Sequence, residues 1–428
     1  MLHAKSMLGA LAALSIATLS SAATWRVGKP NTGCPGAQYT TIKDAVKAAA
    51  AGDVIQICPA LYAEQLTIRK PLTLLGLRTD NVNRVLVQPS SLTPAVTDDG
   101  AVGGLPIEAA IAVIDTHGVN IENLAIDASN NGVTGCNTLV AGVHFYNSSG
   151  SLEDAAVTGA EVSGCTGSSA LLFGNGFGVQ IDADKSGEFD VCARRNSIHA
   201  FTRDGIQVVG NGVTARIEEN AISGIGPASG VFQFGVFVLN GAVGLVSWNV
   251  IHEGNCGSSS ISDCIALRSE GVTLRAVGDG TVVEHNIIAS AQSGIFINGG
   301  KHMRISDNFI SDIDALDGMD IQGTASGYFS DSRIERNTIV TVSDFAGQTC
   351  GIVEYSGTGV AGNLISHTTV NDAFCGVAYV PSDRLENGSY YNVLYGKLNT
   401  DLPFPGPVEP GQNSSGRAAR SLAPIPEN

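Results

Sequence analysis

An internal repeat limits what this chain can fold into more than any other feature of its 428 residues. The tripeptide Asn-x-Ile occurs seven times, 22 to 37 residues apart, as Asn196-Ser-Ile198, Asn220-Ala-Ile222, Asn249-Val-Ile251, Asn286-Ile-Ile288, Asn308-Phe-Ile310, Asn337-Thr-Ile339 and Asn363-Leu-Ile365. A second element recurs along the same part of the chain, in which a Gly precedes an apolar residue, any residue and another apolar or aromatic residue. Its members are Gly142-Val-His-Phe145, Gly178-Val-Gln-Ile181, Gly205-Ile-Gln-Val208, Gly235-Val-Phe-Val238, Gly294-Ile-Phe-Ile297, Gly318-Met-Asp-Ile321 and Gly376-Val-Ala-Tyr379, with Cys264-Ile-Ala-Leu267 in the same place in its own copy. Two alternating elements predict a solenoid in which each copy forms one coil.

Each coil is expected to consist of short strands whose alternate residues face a shared interior. The composition agrees, because 52 Gly and only 15% charged residues suit tight turns around a long apolar interior. The Asn column is predicted to lie at a turn, where Asn adopts the left-handed conformation and bonds the Asn of the next coil. We therefore interpret these Asn residues as structural.

The repeat resembles the right-handed parallel β-helix of the pectin lyase-like superfamily over roughly residues 39 to 398. At its start, Ile42, Ala45, Val46 and Ala49 share one face of a predicted helix that Gly52 ends. The segments that follow this helix resemble the first coils of periplasmic copper-maturation β-helix proteins and of pectin methylesterases. The resemblance implies an all-β solenoid, a right-handed parallel β-helix with an N-terminal capping helix, and it is specific for the fold rather than for an activity.

The two ends of the chain predict export. Lys5, the apolar segment 8–19 and the small residues 20–23 fit a signal peptide over residues 1–23. A single β-helix domain is expected over 24–400 and a disordered Pro-rich tail over 401–428. We expect a secreted or periplasmic monomer. We expect no membrane span, because no later apolar run reaches about 18 residues. The net charge of −16 argues against a nucleic-acid partner.

Nine cysteines also fit an oxidising compartment. Short separations in the sequence favour three disulfides, namely Cys34–Cys58, Cys256–Cys264 and Cys350–Cys375. A fourth disulfide is expected between two of the remaining cysteines, with the third left free, among Cys136, Cys165 and Cys192. Sequence spacing leaves that last choice open.

Two acidic segments resemble fragments of the aspartate motifs of polygalacturonases, Asp263-Cys-Ile-Ala-Leu267 and Asp317-Gly-Met-Asp320. They stand in reversed order, and the Gly-His-Gly and Arg-Ile-Lys of that family do not occur in the sequence. Asp263, Asp317 and Asp320 are the catalytic candidates, with turn formation as the alternative. Two coils would separate Asp263 from Asp317, near twice the strand spacing of about 4.8 Å, and inverting glycosidases hold their carboxyl groups about 6.5–9.5 Å apart.

The strand that begins at the Gly column follows the loop of most variable length, where the superfamily resemblance implies a substrate groove. Its outward positions in the later coils are predicted to form a patch of Arg268, Phe296, Asn298, Asp320, Gln322 and Tyr355. Aromatic rings stack on the apolar face of a sugar, while amide and charged groups bind its hydroxyls. The patch predicts polysaccharide binding, and an ordinary solvated sheet face is the alternative.

A calcium site is predicted in the segment Asp182-Ala-Asp184-Lys-Ser186-Gly187-Glu188-Phe189-Asp190. It matches the first nine positions of an Asp-x-Asp-x-Ser-Gly calcium loop, and the candidate ligands are Asp182, Asp184, Ser186 and Asp190. The twelfth position is Ala193 instead of the bidentate Glu. The alternative is an exposed acidic loop.

Two classes of function follow. The first is a secreted carbohydrate-active enzyme, a lyase or glycoside hydrolase, and the second is a non-catalytic β-helix for surface binding or structural display. The absence of the characteristic motifs of pectin methylesterases, pectate lyases and alginate epimerases favours the second class. The outward patch and the acidic loop favour the first.

Overall fold

The computed structural model describes residues 22–30, 33–78, 84–99, 104–134, 136–162, 175–226, 232–252, 254, 269–314, 316–322, 329–342, 350–355, 360–361, 364–366, 369–371, 375–380, 388–390, 392–395 and 413–416. Within them, parallel strands stack coil upon coil into a right-handed parallel β-helix, as the repeat predicts. Three long sheets run the length of the solenoid, and the chain passes through them in the order sheet 3, sheet 1, sheet 2.

Sheet 1 contains Thr24–Val27, Val54–Ile57, Thr73–Gly76, Val119–Glu122, Gly150–Glu153, Phe189–Arg194, Val213–Glu218, Val243–Ser247, Val282–Glu284, Arg304–Ser306, Arg333–Glu335, Leu364–Ser366 and Gly388–Tyr390. Sheet 2 contains Ala60–Tyr62, Val85–Val87, Ala125–Asp127, Ala156–Thr158, Ser197–His199, Ala221–Ser223, Val250–His252, Ile287–Ala291, Phe309–Ile313, Thr338–Val342, Thr369–Asn371, Asn392–Tyr395 and Asn413–Gly416. The last of these strands lies within the segment for which the sequence predicts a tail.

Sheet 3 contains Leu66–Ile68, Leu105–Ile114, Leu139–Tyr146, Gly176–Asp182, Asp204–Val209, Gln233–Leu239, Ser269–Arg275, Ser293–Asn298, Met319–Gln322, Cys350–Tyr355 and Cys375–Val380. One further strand, Val96–Asp99, pairs antiparallel with Leu105–Ile114 at its edge. A small fourth sheet is formed by Gly300–Lys301, Phe329–Ser330 and Val360–Ala361.

The two halves of the sequence repeat meet inside each coil. A Cβ added to Gly205 would lie 2.5 Å from Cγ2 of Ile222, the Ile of an Asn-x-Ile tripeptide, and 2.6 Å from the carbonyl oxygen of Gly235 on the next coil. The same contact recurs between the other Gly and Ile columns, at Gly178–Ile198, Gly235–Ile251, Gly271–Ile288, Gly294–Ile310 and Gly318–Ile339. The Gly column therefore exists because the Ile methyl group of sheet 2 fills the place of its side chain.

The Asn column forms the predicted ladder. Nδ2 of Asn220 donates to Oδ1 of Asn249 over 2.9 Å, and Nδ2 of Asn249 donates to Oδ1 of Asn286 over 2.9 Å. The left-handed conformation, however, belongs to the residue before each Asn, such as Arg195 with φ 54° and Trp248 with φ 60°. That part of the prediction is wrong, because the turn residue points outward while the Asn side chain turns inward to bond its neighbours.

One coil was assigned to the wrong strand by sequence reasoning. The sheet 3 strand after Gln233–Leu239 is Ser269–Arg275, with Gly271-Val-Thr-Leu274 in register with the Gly column, instead of Cys264-Ile-Ala-Leu267. Gly271 has the close contact with Ile288 that defines the column, whereas Cys264 has a side chain where that contact allows none. Residues 255–268, including Asp263 and Arg268, lie outside the described residues.

The single helix of the described residues is Ile42–Ala48, where the sequence predicts it. Thr41 caps it by accepting the backbone N–H of Asp44, and Ile42, Ala45 and Val46 are buried in the main core. It ends at Ala48, before Gly52, since Ala49 already has extended backbone. Its function as a cap stays a prediction.

The cysteines agree with part of the predicted pairing. Cys34 and Cys58 form a disulfide, Cys136 and Cys350 are each disulfide-bonded, and Cys192 is a free thiol. Cys375 faces Cys350 in the register of adjacent strands. The partners Cys165, Cys256 and Cys264 lie outside the described residues, so the pairings that involve them stay predictions. In the described part of the chain, no helix has the length and apolar character needed to cross a bilayer.

Candidate functional site

The outward face of sheet 3 consists of columns of side chains in register from coil to coil. The column two residues after the Gly runs through His144, Gln180, Gln207, Phe237, Thr273, Phe296, Asp320 and Val353. The next outward column runs through Tyr146, Asp182, Val209, Leu239, Arg275, Asn298 and Gln322. Thr273 and the exposed Arg275 thus stand where sequence reasoning put Ala266 and Arg268.

A third column, directly before the Gly, is acidic at three alternate coils, at Asp204, Glu270 and Asp317. Phe234 separates Asp204 from Glu270 in register, Ser293 follows Glu270, and Asp317 precedes Gly318 on the next strand. Two parallel strand spacings of about 4.8 Å place Asp204 and Glu270 about 9.6 Å apart along the solenoid. This column was missed from the sequence, although the dipeptides Asp204-Gly205, Glu270-Gly271 and Asp317-Gly318 repeat in it.

Five acidic side chains on this face are removed from solvent. The exposed fractions are 0% for Asp204, 1% for Asp182, 2% for Glu270, 4% for Asp320 and 7% for Asp317. A buried carboxyl group costs free energy unless hydrogen bonds or charges compensate for its lost hydration. The contacts of each carboxyl group therefore decide what this face can do.

A chain of hydrogen bonds links the acids of the earlier coils. Nε2 of His144 lies 3.0 Å from Oδ1 of Asp182, and Nε2 of Gln180 donates to Oδ2 of Asp182 over 2.7 Å. The same Gln180 nitrogen donates to Oε1 of Gln207 over 3.0 Å, and Nε2 of Gln207 donates to Oδ2 of Asp204. The chain ends at Asp204, whose Oδ1 is buried and has no hydrogen-bond partner among the residues that the structure describes.

Burial raises the pKa of Asp204 to about 7. Arg203, whose Nε lies 3.9 Å from Oδ2, and the hydrogen bond from Gln207 act in the opposite direction but do not cancel the loss of hydration. Asp204 therefore keeps a proton at pH values at which an ordinary aspartate has lost it. A carboxyl group in this condition is suited to general acid catalysis near neutral pH.

Glu270 lies two coils further along the same column. Oγ1 of Thr273 donates to its Oε2 over 2.5 Å, so the carboxyl group is fixed in orientation from its own strand. A recess at the start of this strand is lined by Glu270 together with Gln233, Phe201 and His252. The recess has a volume of about 10 Å³, which is room for about one water molecule, so Glu270 is a buried carboxyl group beside a water-sized space.

The predicted catalytic residues Asp317 and Asp320 lie together at the next coils. Oδ1 of Asp317 accepts the backbone N–H of Cys350 over 2.6 Å, and Nε2 of Gln322 donates to the two carboxylate oxygens of Asp320 over 3.1 and 3.2 Å. Each of these acids is oriented by the coil around it. The structure thus brings together Asp317, Asp320 and Gln322, which sequence reasoning placed on one face.

Aromatic side chains lie between the acids. The rings of Phe234 and Phe237 have centroids 5.0 Å apart and are tilted by 56°, and Phe234 and Phe296 are half-buried. Arg203 lies over the ring of Phe177, with its guanidinium carbon 5.7 Å from the centroid. Half-buried rings beside carboxyl and amide groups are the combination that sugar rings bind.

The remaining predicted residues of the patch are placed as follows. Phe296 and Asn298 are half-buried neighbours of Asp320 and Gln322 in register. The backbone of Tyr355 follows Gln322 in the same column, while its side chain is outside the described part. The substrate-binding roles of these residues stay predictions.

The predicted calcium ligands are held by protein groups. The two carboxylate oxygens of Asp182 bond His144 and Gln180, and those of Asp184 accept from the hydroxyl of Tyr146 and the amide of Asn147 over 2.7 and 2.9 Å. The hydrogen bond from Tyr146 is the main cause that lowers the pKa of Asp184. Ser186 and Asp190 are exposed. In the described residues no three His, Cys, Asp or Glu side chains converge as a metal site requires, and calcium binding stays a prediction.

Comparison with known proteins supports the fold. No protein-family model and no curated protein sequence matches the chain. Among solved structures, the native form of a GH136 lacto-N-biosidase from Eubacterium ramulus is similar with a TM-score of 0.58 at 12% identity, over 86% of this chain and 67% of that one. Its selenomethionine derivative gives 0.57 at 11% identity, over the same shares. A DFA-IIIase from Arthrobacter chlorophenolicus A6 without its lid gives 0.48 at 15% identity, over 94% of this chain and 99% of that one.

Proposed function

We propose that this protein is a carbohydrate-active enzyme of the glycoside hydrolase type, which cleaves a glycan on the outward face of sheet 3. The observation that carries the proposal is the acidic column, in which the buried Asp204 and Glu270 stand in register on strands two coils apart, whose backbones are about 9.6 Å from each other. The fold is shared with a lacto-N-biosidase, which makes a glycan the first substrate class to test. That likeness by itself shows only the fold.

Asp204 acts as the general acid in this proposal. With a pKa of about 7 it carries the proton that the leaving glycosidic oxygen needs. Glu270 acts as the general base and takes a proton from the water molecule that attacks the anomeric carbon from the opposite face. The bond to the leaving oxygen breaks as the bond to water forms, so one water molecule is consumed and the configuration is inverted. Inverting enzymes hold their carboxyl groups about 6.5–9.5 Å apart to leave room for that water.

The surroundings of the acids define the substrate class. Phe234 and Phe296 offer ring faces for stacking, and Gln322 and Asn298 offer amide groups for hydroxyls. A face that also carries Asp182, Glu270, Asp317 and Asp320 is unfavourable for a polyuronate, so a neutral glycan is the better electrostatic fit. Asp317 and Asp320 belong to the substrate-binding end of this face, and they are the second candidate pair of catalytic carboxyl groups.

The test is a cleavage assay on a panel of neutral and acidic glycans, with Asp204→Asn, Glu270→Gln and Asp320→Asn beside the wild-type protein. Loss of each catalytic carboxyl group is expected to lower kcat by at least about 100-fold, since general acid–base catalysis contributes about that factor or more. The control is Asp279→Asn, because Asp279 is an exposed acid whose side chain is 68% accessible.

Different results separate the candidate functions. Inverted product from a neutral glycan, lost in Asp204→Asn and Glu270→Gln, supports the proposal. Unsaturated product ends identify a lyase and overturn the hydrolytic step. Binding of a glycan without cleavage supports the non-catalytic class of β-helix protein instead.

A further inference from the structure

A second pocket lies at the corner between sheets 1 and 2, away from the acidic face of sheet 3. Its volume is about 170 Å³, and its polar lining consists of Arg78, Arg84, Asn123, Asp154, Arg195 and Ser197. About 10–15 Å³ of such space holds one water molecule, so the pocket has room for about ten groups of that size. Three arginines facing one pocket are unexpected in a chain with a net charge of −16.

The turn geometry of three consecutive coils builds this pocket. Asn123, Asp154 and Arg195 occupy the left-handed position of their turns, with φ of 60°, 53° and 54°. Side chains at this position point away from the core, and successive coils stack them at about 4.8 Å intervals. Arg78 and Arg84 reach the same corner from the preceding coil, between strands Thr73–Gly76 and Val85–Val87.

Much of the hydrogen-bonding capacity of the arginines is unused. Nε and Nη2 of Arg195 donate to the two carboxylate oxygens of Asp154 over 3.0 and 2.8 Å, which occupies the acid of the pocket. Arg78 uses its Nε on Oδ1 of Asn123. Within the part of the chain that the structure describes, Nη1 of Arg195 and the terminal nitrogens of Arg78 bond no protein group.

Arg84 is the clearest case. It is exposed at the pocket, and it makes no hydrogen bond and no ion pair with any described residue. The field at this corner is positive, since the hydrogen bond from Arg195 and the charges of Arg195, Arg78 and Arg194 lower the pKa of Asp154. The lining itself combines three guanidinium groups with one carboxylate, and Glu153 beside the pocket accepts a further hydrogen bond from Nη2 of Arg195 over 3.0 Å.

We propose that this corner pocket binds one oxyanion group, a carboxylate or a sulfate, carried by a sugar-sized molecule. The planar guanidinium fork of arginine matches the two oxygens of such a group. Arg78 and Arg84 are the binding residues, Arg195 provides a third positive charge, and the exposed Ser197 bonds a hydroxyl. The site is separate from the acidic column of sheet 3, so it does not depend on the function proposed for that face.

The test is isothermal titration calorimetry with sodium glucuronate, sodium sulfate and glucose at low ionic strength. We expect glucuronate to bind, glucose not to bind, and the double variant Arg78→Ala/Arg84→Ala to weaken the binding of glucuronate at least 10-fold. Raised salt is expected to weaken it as well. The matched control is Arg216→Ala, because Arg216 is an exposed arginine on the outward face of sheet 1 and does not line the pocket.

Each other result overturns the proposal. Equal binding of glucuronate and glucose shows that the pocket does not recognise the carboxylate group. An equal loss in Arg216→Ala shows a general charge effect, and binding of sulfate without glucuronate limits the site to a free ion. If the double variant binds glucuronate with unchanged affinity and Asp204→Asn binds it more weakly, the ligand binds on sheet 3 instead of in this pocket.

Discussion

The outward faces of sheets 1 and 3 share one coil spacing but differ in how they treat charge. On sheet 1, Nη1 of Arg304 lies 2.6 Å from Oε2 of Glu284, and these side chains are 44% and 23% exposed. On sheet 3, Asp204 and Glu270 are 0% and 2% exposed and accept hydrogen bonds from the neutral side chains of Gln207 and Thr273. Both sheets stack one parallel strand per coil, so this difference in charge lies in the side chains.

This difference in the burial of charged groups indicates which side chains the fold itself does not require. Exposed ion pairs between coils cost little and contribute little to stability. Buried carboxyl groups reduce stability, and proteins keep such groups chiefly at sites of binding or catalysis. If apolar residues replaced Asp204 and Glu270, the apolar interior and the Asn ladder would still stabilise the solenoid.

The largest expected effect is on the pH dependence of stability. The pKa of Asp204 is raised to about 7 in the folded protein, so folding favours its protonated form. The stability that this form provides is complete below the unfolded pKa of about 4 and is lost as pH rises through about 7. Urea unfolding at pH 4 and pH 8 should show that Asp204→Asn changes the difference by up to about 4 kcal/mol, with the variant flatter than the wild type.

The control for that experiment is Asp190→Asn, since Asp190 is an exposed acid on sheet 1. It should follow the wild-type pH curve closely. If Asp204→Asn keeps the wild-type slope between pH 4 and pH 8, the carboxyl group is ionised in the folded state, and the general acid assigned above is wrong.

The next effect compares one residue type on two outward faces. Phe237 on sheet 3 is 6% exposed, whereas Phe309 on sheet 2 is 42% exposed. Phe237→Ala should lower the free energy of unfolding by about 3 kcal/mol, as for a core phenylalanine, because it leaves a cavity beside Phe234. Phe309→Ala should lower it by less than about 1 kcal/mol in the same urea titration. Equal losses would show that the outward face of sheet 3 is an ordinary sheet surface.

A smaller effect is expected at the hydroxyl that holds Glu270. Thr273→Val keeps the shape of the side chain but removes the hydrogen bond to Oε2 of Glu270. We expect a loss of about 2 kcal/mol in the free energy of unfolding at pH 8, because a buried carboxyl group loses one of its hydrogen-bond donors. Thr214→Val on the outward face of sheet 1 is the matched control, with a loss below about 0.5 kcal/mol. A neutral result at Thr273 would show that water or another group replaces the donor.

The sequence predicts the fold well because each residue of the repeat makes a packing or hydrogen-bond contact that only one residue type can make. Asn249 and its equivalents each form a hydrogen bond with the next coil, and Ile251 fills the space beside Gly235. The same residue types therefore recur at these positions in the sequence. The mistaken coil arose where loop length hides the period, since Cys264 and Gly271 both precede an apolar alternation. The steric need for Gly decides between them, and that need appears only in three dimensions.

The candidate site was predicted only in part. Asp317 and Asp320 were found because they resemble a known motif, whereas Asp204 and Glu270 stand before the Gly, where sequence reasoning expects turn residues. What sets them apart is burial, which one sequence does not record. In the opposite direction, Asp182 and Asp184 match a calcium loop in spacing, but His144 and Tyr146 from the preceding coil occupy their oxygens.

The smallest expected effect concerns an exposed ion pair at the corner of sheets 1 and 2. Nε and Nη2 of Arg336 donate to the two carboxylate oxygens of Asp307 over 2.9 Å each, and the hydrogen bond from Arg336 is the main cause that lowers the pKa of Asp307. The side chains are 46% and 25% exposed, so solvent screening keeps the contribution of the pair below about 1 kcal/mol. Asp307→Asn should therefore lower the free energy of unfolding slightly at pH 7. The difference should shrink as pH falls below about 4 and vanish below the lowered pKa of Asp307, where the pair is lost in the wild type as well. A loss above about 2 kcal/mol at pH 7 in 0.5 M salt would show that outward charges stabilise this solenoid as strongly as its interior does. The contrast between sheets 1 and 3 would then no longer indicate that the acidic column is functional.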